Sequence, residues 1–158
     1  MENYTHPTAI IDEGAKIGKG VKIWANSHIC RGAQIGDGCT IGEGVYIGPN
    51  VSIGCNCKIQ NHALIYEGVK IEHSVFIGPR VTFSNDAWPR VQGEWTITTT
   101  LVKYGASICA GATIVCGVLI GRCAMIGAGA TVTKDIKDGW LAYGTPAKHI
   151  RELRVDEL

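Results

Sequence analysis

The chain lacks most of the features that announce a specific chemistry. No apolar run approaches the roughly 20 residues needed to span a bilayer. The opening segment, Met1 to Pro7, is polar and carries no hydrophobic signal region. Neither sign of charge dominates, with 15 Lys and Arg against 14 Asp and Glu, and no basic stripe points to nucleic acid. The seven cysteines are an odd number without a paired framework. Cys55-Asn-Cys57 is not CxxC, so the thiols read as reduced groups of a cytoplasmic protein. The five histidines, His6, His28, His62, His73 and His149, include no pair five apart. That spacing excludes the zinc centre of a γ-type carbonic anhydrase.

What the chain has is a period. Isoleucine stands at every sixth position, at Ile11, Ile17, Ile23, Ile29, Ile35, Ile41, Ile47, Ile53, Ile59, Ile65, Ile71 and Ile77, with Phe83 in phase. A six-residue repeat fits neither a 3.6-residue helix nor an isolated alternating strand. It predicts a parallel β-solenoid in which each hexapeptide sends one side chain into a continuous core. Four positions after each isoleucine stands a small or β-branched residue, from Ala15 and Val21 to Val75 and Val81. Large and small side chains therefore alternate inward, as close packing demands. Three positions after each isoleucine, Gly or Asn recurs, as in Gly14, Asn26, Gly44 and Asn56. These residues tolerate positive φ, so that column is a turn. Each hexapeptide is a short strand plus a bend.

The frame breaks after Phe83 and resumes one residue out of phase at Val102, Ile108, Ile114, Ile120, Ile126 and Val132. One solenoid, about residues 8–137, therefore continues past an insertion at roughly 84–101. Solenoids carry insertions on one face, often the binding face. At 158 residues the chain reads as a single domain. Beyond Lys137 the hexad stops, and residues 138–158 read as an extension with a short helix. Thr145-Pro146 has the residue types of an N-cap and first helical position. Ile150, Leu153 and Leu158 would give that helix an apolar side, and Lys148, Arg151 and Arg154 a basic one.

A thin packed core leaves no internal cavity, so a ligand must bind outside it. The insertion Ser84-Asn85-Asp86-Ala87-Trp88-Pro89-Arg90 is the densest polar and aromatic segment. Asn85 and Asp86 supply hydrogen-bonding or proton-accepting groups, and Arg90 suits a phosphate or carboxylate. A second irregular patch is Gln60-Asn61-His62-Ala63-Leu64-Ile65-Tyr66-Glu67. In a triangular solenoid residues eighteen apart stack, which sets Glu67 under Asn85 and predicts that both patches converge on one edge. His62 occupies the turn column, where His is tolerated. Imidazole, which unperturbed titrates at about 6.5, also suits a base at neutral pH. His28 and His73 read as outer-face residues.

The hexads, the mid-chain loop and the ending Tyr143-Gly144-Thr145-Pro146-Ala147-Lys148 resemble the hexapeptide acyltransferases. That resemblance implies an all-β, left-handed parallel β-helix, an exception to the right-handed crossover rule. It also implies homotrimers that bind acetyl-CoA between adjacent subunits. Ile59-Gln60-Asn61, Ile65-Tyr66-Glu67-Gly68-Val69, Ile77-Gly78-Pro79, and Asn85-Asp86 with Pro89-Arg90 are similar to the nucleotide-sugar amino N-acetyltransferases. So is the run Ile108 to Gly117. Those enzymes acetylate the amine, expected at C3, of UDP- or dTDP-linked amino sugars for surface polysaccharide such as lipopolysaccharide.

The resemblance places the catalytic Asn85 beside the sugar amine and the thioester, where it positions the acceptor and contacts the oxyanion; Asp86, Glu67, His62 or the departing thiolate can take the amine's proton. The resemblance also implies sugar-nucleotide contacts from Gln60, Asn61, Tyr66, Glu67 and Arg90. Pantetheine is expected to pass Ala110, Gly111 and Ala128, and the cofactor end to meet Lys134, Pro146, Lys148 and Arg151. No metal is implied. In the implied reaction an amine attacks the thioester directly. Orientation then supplies most of the acceleration, on a scale of about 7–11 kcal/mol. No covalent enzyme intermediate is required, in keeping with the lack of a Ser-His-Asp pattern. The alternatives are an O-acetyltransferase for a serine or sugar hydroxyl, which needs a base more strongly, and a non-catalytic trimeric scaffold.

Overall fold

The structure is a computed structural model and describes residues 2–157; Leu158 lies outside the described residues. Twenty strands of two or three residues, from Tyr4–Thr5 to Thr131–Val132, wind into a three-sided parallel prism. The first face is built from strands such as Tyr4–Thr5, Lys22–Ile23, Thr40–Ile41 and Lys58–Ile59. The second includes Ile10–Ile11, His28–Ile29, Tyr46–Ile47 and Leu64–Ile65. The third includes Lys16–Ile17, Gln34–Ile35 and Ser52–Ile53. Each strand pairs with the one eighteen residues on, as in Lys22↔Thr40 and Leu64↔Thr82. Across the excursion the offset grows to thirty-one, as in Phe76↔Ser107, so the excursion adds thirteen residues without breaking the stack. The first rung starts at Tyr4, which pairs with Lys22. The stack thus begins a few residues before the hexad becomes visible in the sequence.

The columns read from the sequence become the core. Ile23, Ile29, Ile41, Ile47, Ile59, Ile65 and Ile77 are fully buried, with Val21, Ala33, Cys39 and Ala63 between them. Burial is worth about 1.5–3 kcal/mol for each isoleucine. Ile11 stays partly exposed because it lies in the first coil, at the open end of the prism. The turn column takes positive φ throughout, including Asn26, Asn50, Asn56 and His62 at 57–60°. Polar atoms that enter the core are satisfied there. The Ser27 hydroxyl reaches the carbonyls of Trp24 and Gly42, at 2.9 and 2.8 Å. The Cys39 and Cys57 thiols donate to Gly54 and Glu72 carbonyls. The contact with Cys57, reinforced by burial, pushes the Cys39 pKa up and holds that thiol protonated.

The expected C-terminal helix does not form. Trp140–Gly144 extends the first face, pairing Met125↔Leu141 and Ile126↔Ala142. The chain then reverses through Thr145-Pro146, joined by a cis peptide bond, and Ala147–Glu152 returns antiparallel. Only Val155–Glu157 forms a single 3₁₀ turn. The physical reason is the open rung at Met125–Ile126. Pairing there satisfies the backbone groups of 140–144, whereas an isolated helix of about a dozen residues is marginal in water. Proline at 146 shapes a hairpin turn instead of starting a helix. Fully buried Ala142 and half-buried Trp140 close this end of the core.

Candidate functional site

The prism has three corners, and they divide the predicted residues. Gln60, Asn61 and His62 follow the strand Lys58–Ile59 and turn the chain from the first face to the second. Tyr66 and Glu67 follow Leu64–Ile65 at the next corner, between the second and third faces. Asn85, Asp86 and Arg90 leave from that same corner after Thr82–Phe83. Tyr66 and Glu67 therefore share an edge with the excursion, in the register that leads from Ile65↔Phe83 toward Glu67 and Asn85. Gln60, Asn61 and His62 do not. The expected convergence on one edge fails within a protomer, because these six-residue steps each advance the chain by one face.

The base of the excursion is pinned. The Thr98 N–H donates to the Asn85 carbonyl at 2.9 Å, Ser84 N–H to Ile114, and Thr100 N–H to Gly68. The Asn85 main chain is thus fixed while its half-buried side chain remains available. Beyond it the loop turns sharply: the Asp86 carboxylate accepts the Trp88 N–H at 2.8 Å. Trp88 is 77% exposed and Trp95 62%, and among the described residues Arg90 reaches only its neighbour's carbonyl, Pro89. Glu67 accepts from the Asn50 side-chain amide at 2.9 Å, and Tyr66 stacks on Tyr46 with ring centres 5.3 Å apart. Of the three candidate proton acceptors, Asp86 and Glu67 are already hydrogen-bonded. The His62 imidazole lies exposed over Gly44, at the mouth of a cleft of about 470 Å³ that it shares with Pro79, Arg80, Ala110 and Gly111.

That cleft belongs to a line of features down the corner between the first and second faces. Above it, Gln60 and Asn61 line a cleft of about 450 Å³ with Tyr4, Trp24 and Glu43. Below it, Ala110 accepts the Gly129 N–H at 2.9 Å, and Ala128 is exposed beside it. A Cβ built on Gly111 or Gly129 would meet nothing within 4 Å, so the backbone is bare there. Further on, the Thr145 hydroxyl stands 3.3 Å from that of Thr131. The hairpin then forms a third cleft, of about 340 Å³, in which Pro146 and Lys148 meet Lys134, which follows Thr131–Val132 and so belongs to the corner between the second and third faces. Arg151 is drawn away from it. Its guanidinium grips Glu157 with two bonds of 2.7 Å, holding that carboxyl down to about 2.

His28 does lie on the outer face, as expected, where its Nε2 is 2.9 Å from Asp12 Oδ1 and lowers the pKa of that carboxyl. Tyr4, Trp24, Glu43 and Arg80 were not singled out from the sequence. One signal was there. Trp24 and Gln60 both occupy the position after an isoleucine, and in the coils between and beyond them that corner carries Gly42 and Gly78.

The described residues include no helix long and apolar enough to cross a membrane, and all seven cysteines are unbridged. The family model of the bacterial transferase hexapeptide (six repeats) matches residues 14–49 and 50–85. A dTDP-3-amino-3,6-dideoxy-α-D-galactopyranose 3-N-acetyltransferase of Aneurinibacillus thermoaerophilus is 48% identical over 146 residues, covering 92% of this chain and 76% of that protein. Among the solved structures that share the fold are two acetyltransferase complexes. One is a point mutant of GDP-perosamine N-acetyltransferase from Caulobacter crescentus with CoA and GDP-perosamine, at a TM-score of 0.67 and 24% identity; it matches 95% of this chain, which spans 57% of that one. The other is a hexapeptide-repeat acetyltransferase of Vibrio cholerae complexed with acetyl-CoA. Its TM-score is 0.67 at 24% identity, over 78% of this chain and 72% of that one. A six-residue isoleucine period, a triangular parallel prism and near-half identity over most of a relative's length agree: this chain belongs to the left-handed β-helical hexapeptide-repeat acyltransferases, in the nucleotide-sugar 3-amino N-acetyltransferase branch.

Proposed function

We propose that this protein is an acetyl-CoA-dependent N-acetyltransferase that acetylates the amino group, at C3, of a UDP- or dTDP-linked amino sugar. The observation that carries this reading is the 48% identity to the Aneurinibacillus 3-N-acetyltransferase over 92% of the chain. It works as a cytoplasmic homotrimer in the building of surface polysaccharide. The separation of the site residues supports the trimer. Gln60, Asn61 and His62 on one corner and Asn85, Asp86 and Arg90 on another can meet only if one protomer's edge receives the excursion of the next. The excursion carries two indoles, Trp88 and Trp95, that are largely exposed in the single chain and available to such a contact.

The chemistry follows from that shared seam. The amine nitrogen attacks the thioester carbonyl carbon, the C–S bond breaks, and the amine gives up a proton as the amide forms. Asn85 orients the acceptor and donates a hydrogen bond to the oxyanion from its side-chain amide. His62 accepts the proton, since Glu67 and Asp86 are already engaged. Gln60, Asn61, Tyr66, Glu67 and Arg90 hold the sugar nucleotide. The bare backbone at Gly111 and Gly129, beside Ala110 and Ala128, leaves room for pantetheine to lie close to the chain. Lys134 and Lys148, together in one cleft with Pro146, suit its phosphates. Arg151, committed to Glu157, stabilises the tail instead.

The test is release of free thiol from acetyl-CoA against a panel of UDP- and dTDP-amino sugars, with serine and free sugars as hydroxyl acceptors. Turnover on a 3-amino sugar nucleotide is expected. Turnover on hydroxyl acceptors alone would make the protein an O-acetyltransferase, and no turnover on any acceptor would leave a scaffold.

A further inference from the structure

The cleft at the N-terminal end of the His62 corner has a floor that the reaction itself does not need. Tyr4 and Trp24 come from successive coils of the first face, and their ring centres lie 5.3 Å apart with planes tilted by 56°. Both rings are left 43–46% exposed. They line the same cleft as Gln60, Asn61 and Glu43. Thr40 forms part of its wall, and Lys22 and Lys58 flank Thr40 in register on the rungs either side. Aromatic floor, carboxylate and exposed lysines are thus collected on four successive rungs, each near 4.8 Å.

We propose that this cleft binds the nucleoside diphosphate half of the acceptor, with its base stacked on Trp24 and Tyr4. The proposal rests on the reading of the protein as a sugar-nucleotide acetyltransferase and adds where the carrier lies. Base–aromatic stacking is sequence-tolerant, because every base presents a π-face. The Glu43 carboxylate, an acceptor only, suits the ring N–H of a uracil or thymine. Lys22 and Lys58, exposed on the rungs either side of Thr40, are within the rungs the pyrophosphate would cross and can serve it as point charges. The sugar then falls at Gln60 and Asn61, two rungs from Trp24 and beside His62. The clefts at Ala110 and the hairpin lie on the other side of His62. Acceptor and donor therefore enter the same corner from opposite ends and meet at His62.

The experiment is calorimetric titration of the full-length protein with UDP and with dTDP alone, without sugar or acetyl-CoA, for the wild type and for Trp24→Ala, Trp24→Phe and Tyr4→Ala. The wild type should bind one or both nucleotides. Trp24→Ala should weaken that binding roughly 10- to 100-fold, the scale of one lost stacking contact, and Trp24→Phe should restore most of it. In turnover assays the KM for the sugar nucleotide should rise in the same ratio while the KM for acetyl-CoA stays unchanged. Because both rings are exposed, the variants should keep the wild-type melting temperature; should Trp24→Ala fail to fold, Tyr4→Ala carries the same expectation. Wild-type nucleotide affinity in a folded Trp24→Ala or Tyr4→Ala protein would overturn this placement while leaving the acetyltransferase reading intact. A wild-type protein that binds neither nucleotide, nor any sugar nucleotide, would overturn both.

Discussion

His62 turns the chain from the first face of the prism to the second, whereas Asn85 leaves from the corner between the second and the third. Two residues expected at one reacting centre are held apart by a rigid β-wall. If the seam is shared, two inactive proteins should rescue one another. Trimers assembled from a protein carrying Gln60→Ala and Asn61→Ala mixed with one carrying Asn85→Ala contain some seams with a wild-type edge facing a wild-type loop. Recovery of a substantial fraction of activity on co-refolding, absent from either parent, is the expected result. A site confined to one protomer would never recover.

Asn85→Ala should lower kcat by about 10²–10³-fold, the cost of one lost oxyanion donor. Its thermal midpoint should stay within a degree or two of wild type. The hydrogen bond that closes the loop uses the Asn85 carbonyl, which the substitution leaves in place. Parallel steady-state kinetics and calorimetry check both halves of this expectation.

His62→Asn separates the imidazole's chemistry from its corner. Asn26, Asn50 and Asn56 hold the same column at the same positive φ, so asparagine fits the turn without strain. The melting temperature should not move. The rate should fall by about 10²-fold or more if the ring takes the amine's proton. The loss should shrink as pH rises and solvent takes over as acceptor. A pH–rate profile identical in shape and height to wild type would assign the proton to the departing thiolate.

Core position governs tolerance to charge. Ile53→Asp should unfold the stack, because it sets an unpaired carboxylate in a column that is 3% exposed. Ile53→Ala should cost about 2–5 kcal/mol. Ile11→Asp, in the partly exposed first coil, should cost much less. Denaturant titration of the three proteins ranks them.

The tail should respond to acid. Arg151 is the main cause that holds Glu157 down to about 2, with the Arg154 N–H second. A carboxyl with a depressed folded pKa stabilises its contact fully above its unfolded value of about 4.3 and loses that contribution as pH falls toward 2. Amide exchange at 151–157 should therefore be slow and flat from neutral pH to about 4.5, once corrected for the intrinsic rate, and then accelerate. Glu157→Gln should show fast exchange at every pH.

The hexad was fully legible because its cause is local. Each isoleucine, small residue and Gly or Asn turn satisfies one coil, and the next coil repeats the demand. The polar excursion was legible for the converse reason, as a stretch that fits no column. The C-terminal segment was misread because Thr-Pro carries a helix-start signal in isolation. It takes a hairpin only where an unpaired rung at Met125–Ile126 offers partners.

The sequence by itself determined the solenoid, since a strict six-residue period has no other close-packed solution, and it marked the residues that break the pattern. Only the tertiary structure decided how those residues are grouped. Each six-residue step turns the chain onto another face, so neighbours in sequence, such as His62 and Tyr66, diverge to different corners. Residues eighteen or thirty-one apart, such as Tyr4 with Lys22 or Phe76 with Ser107, become neighbours. The line from Trp24 through His62 to Ala128 exists only because the coils stack in register, and the C-terminal hairpin sets Lys148 beyond its end.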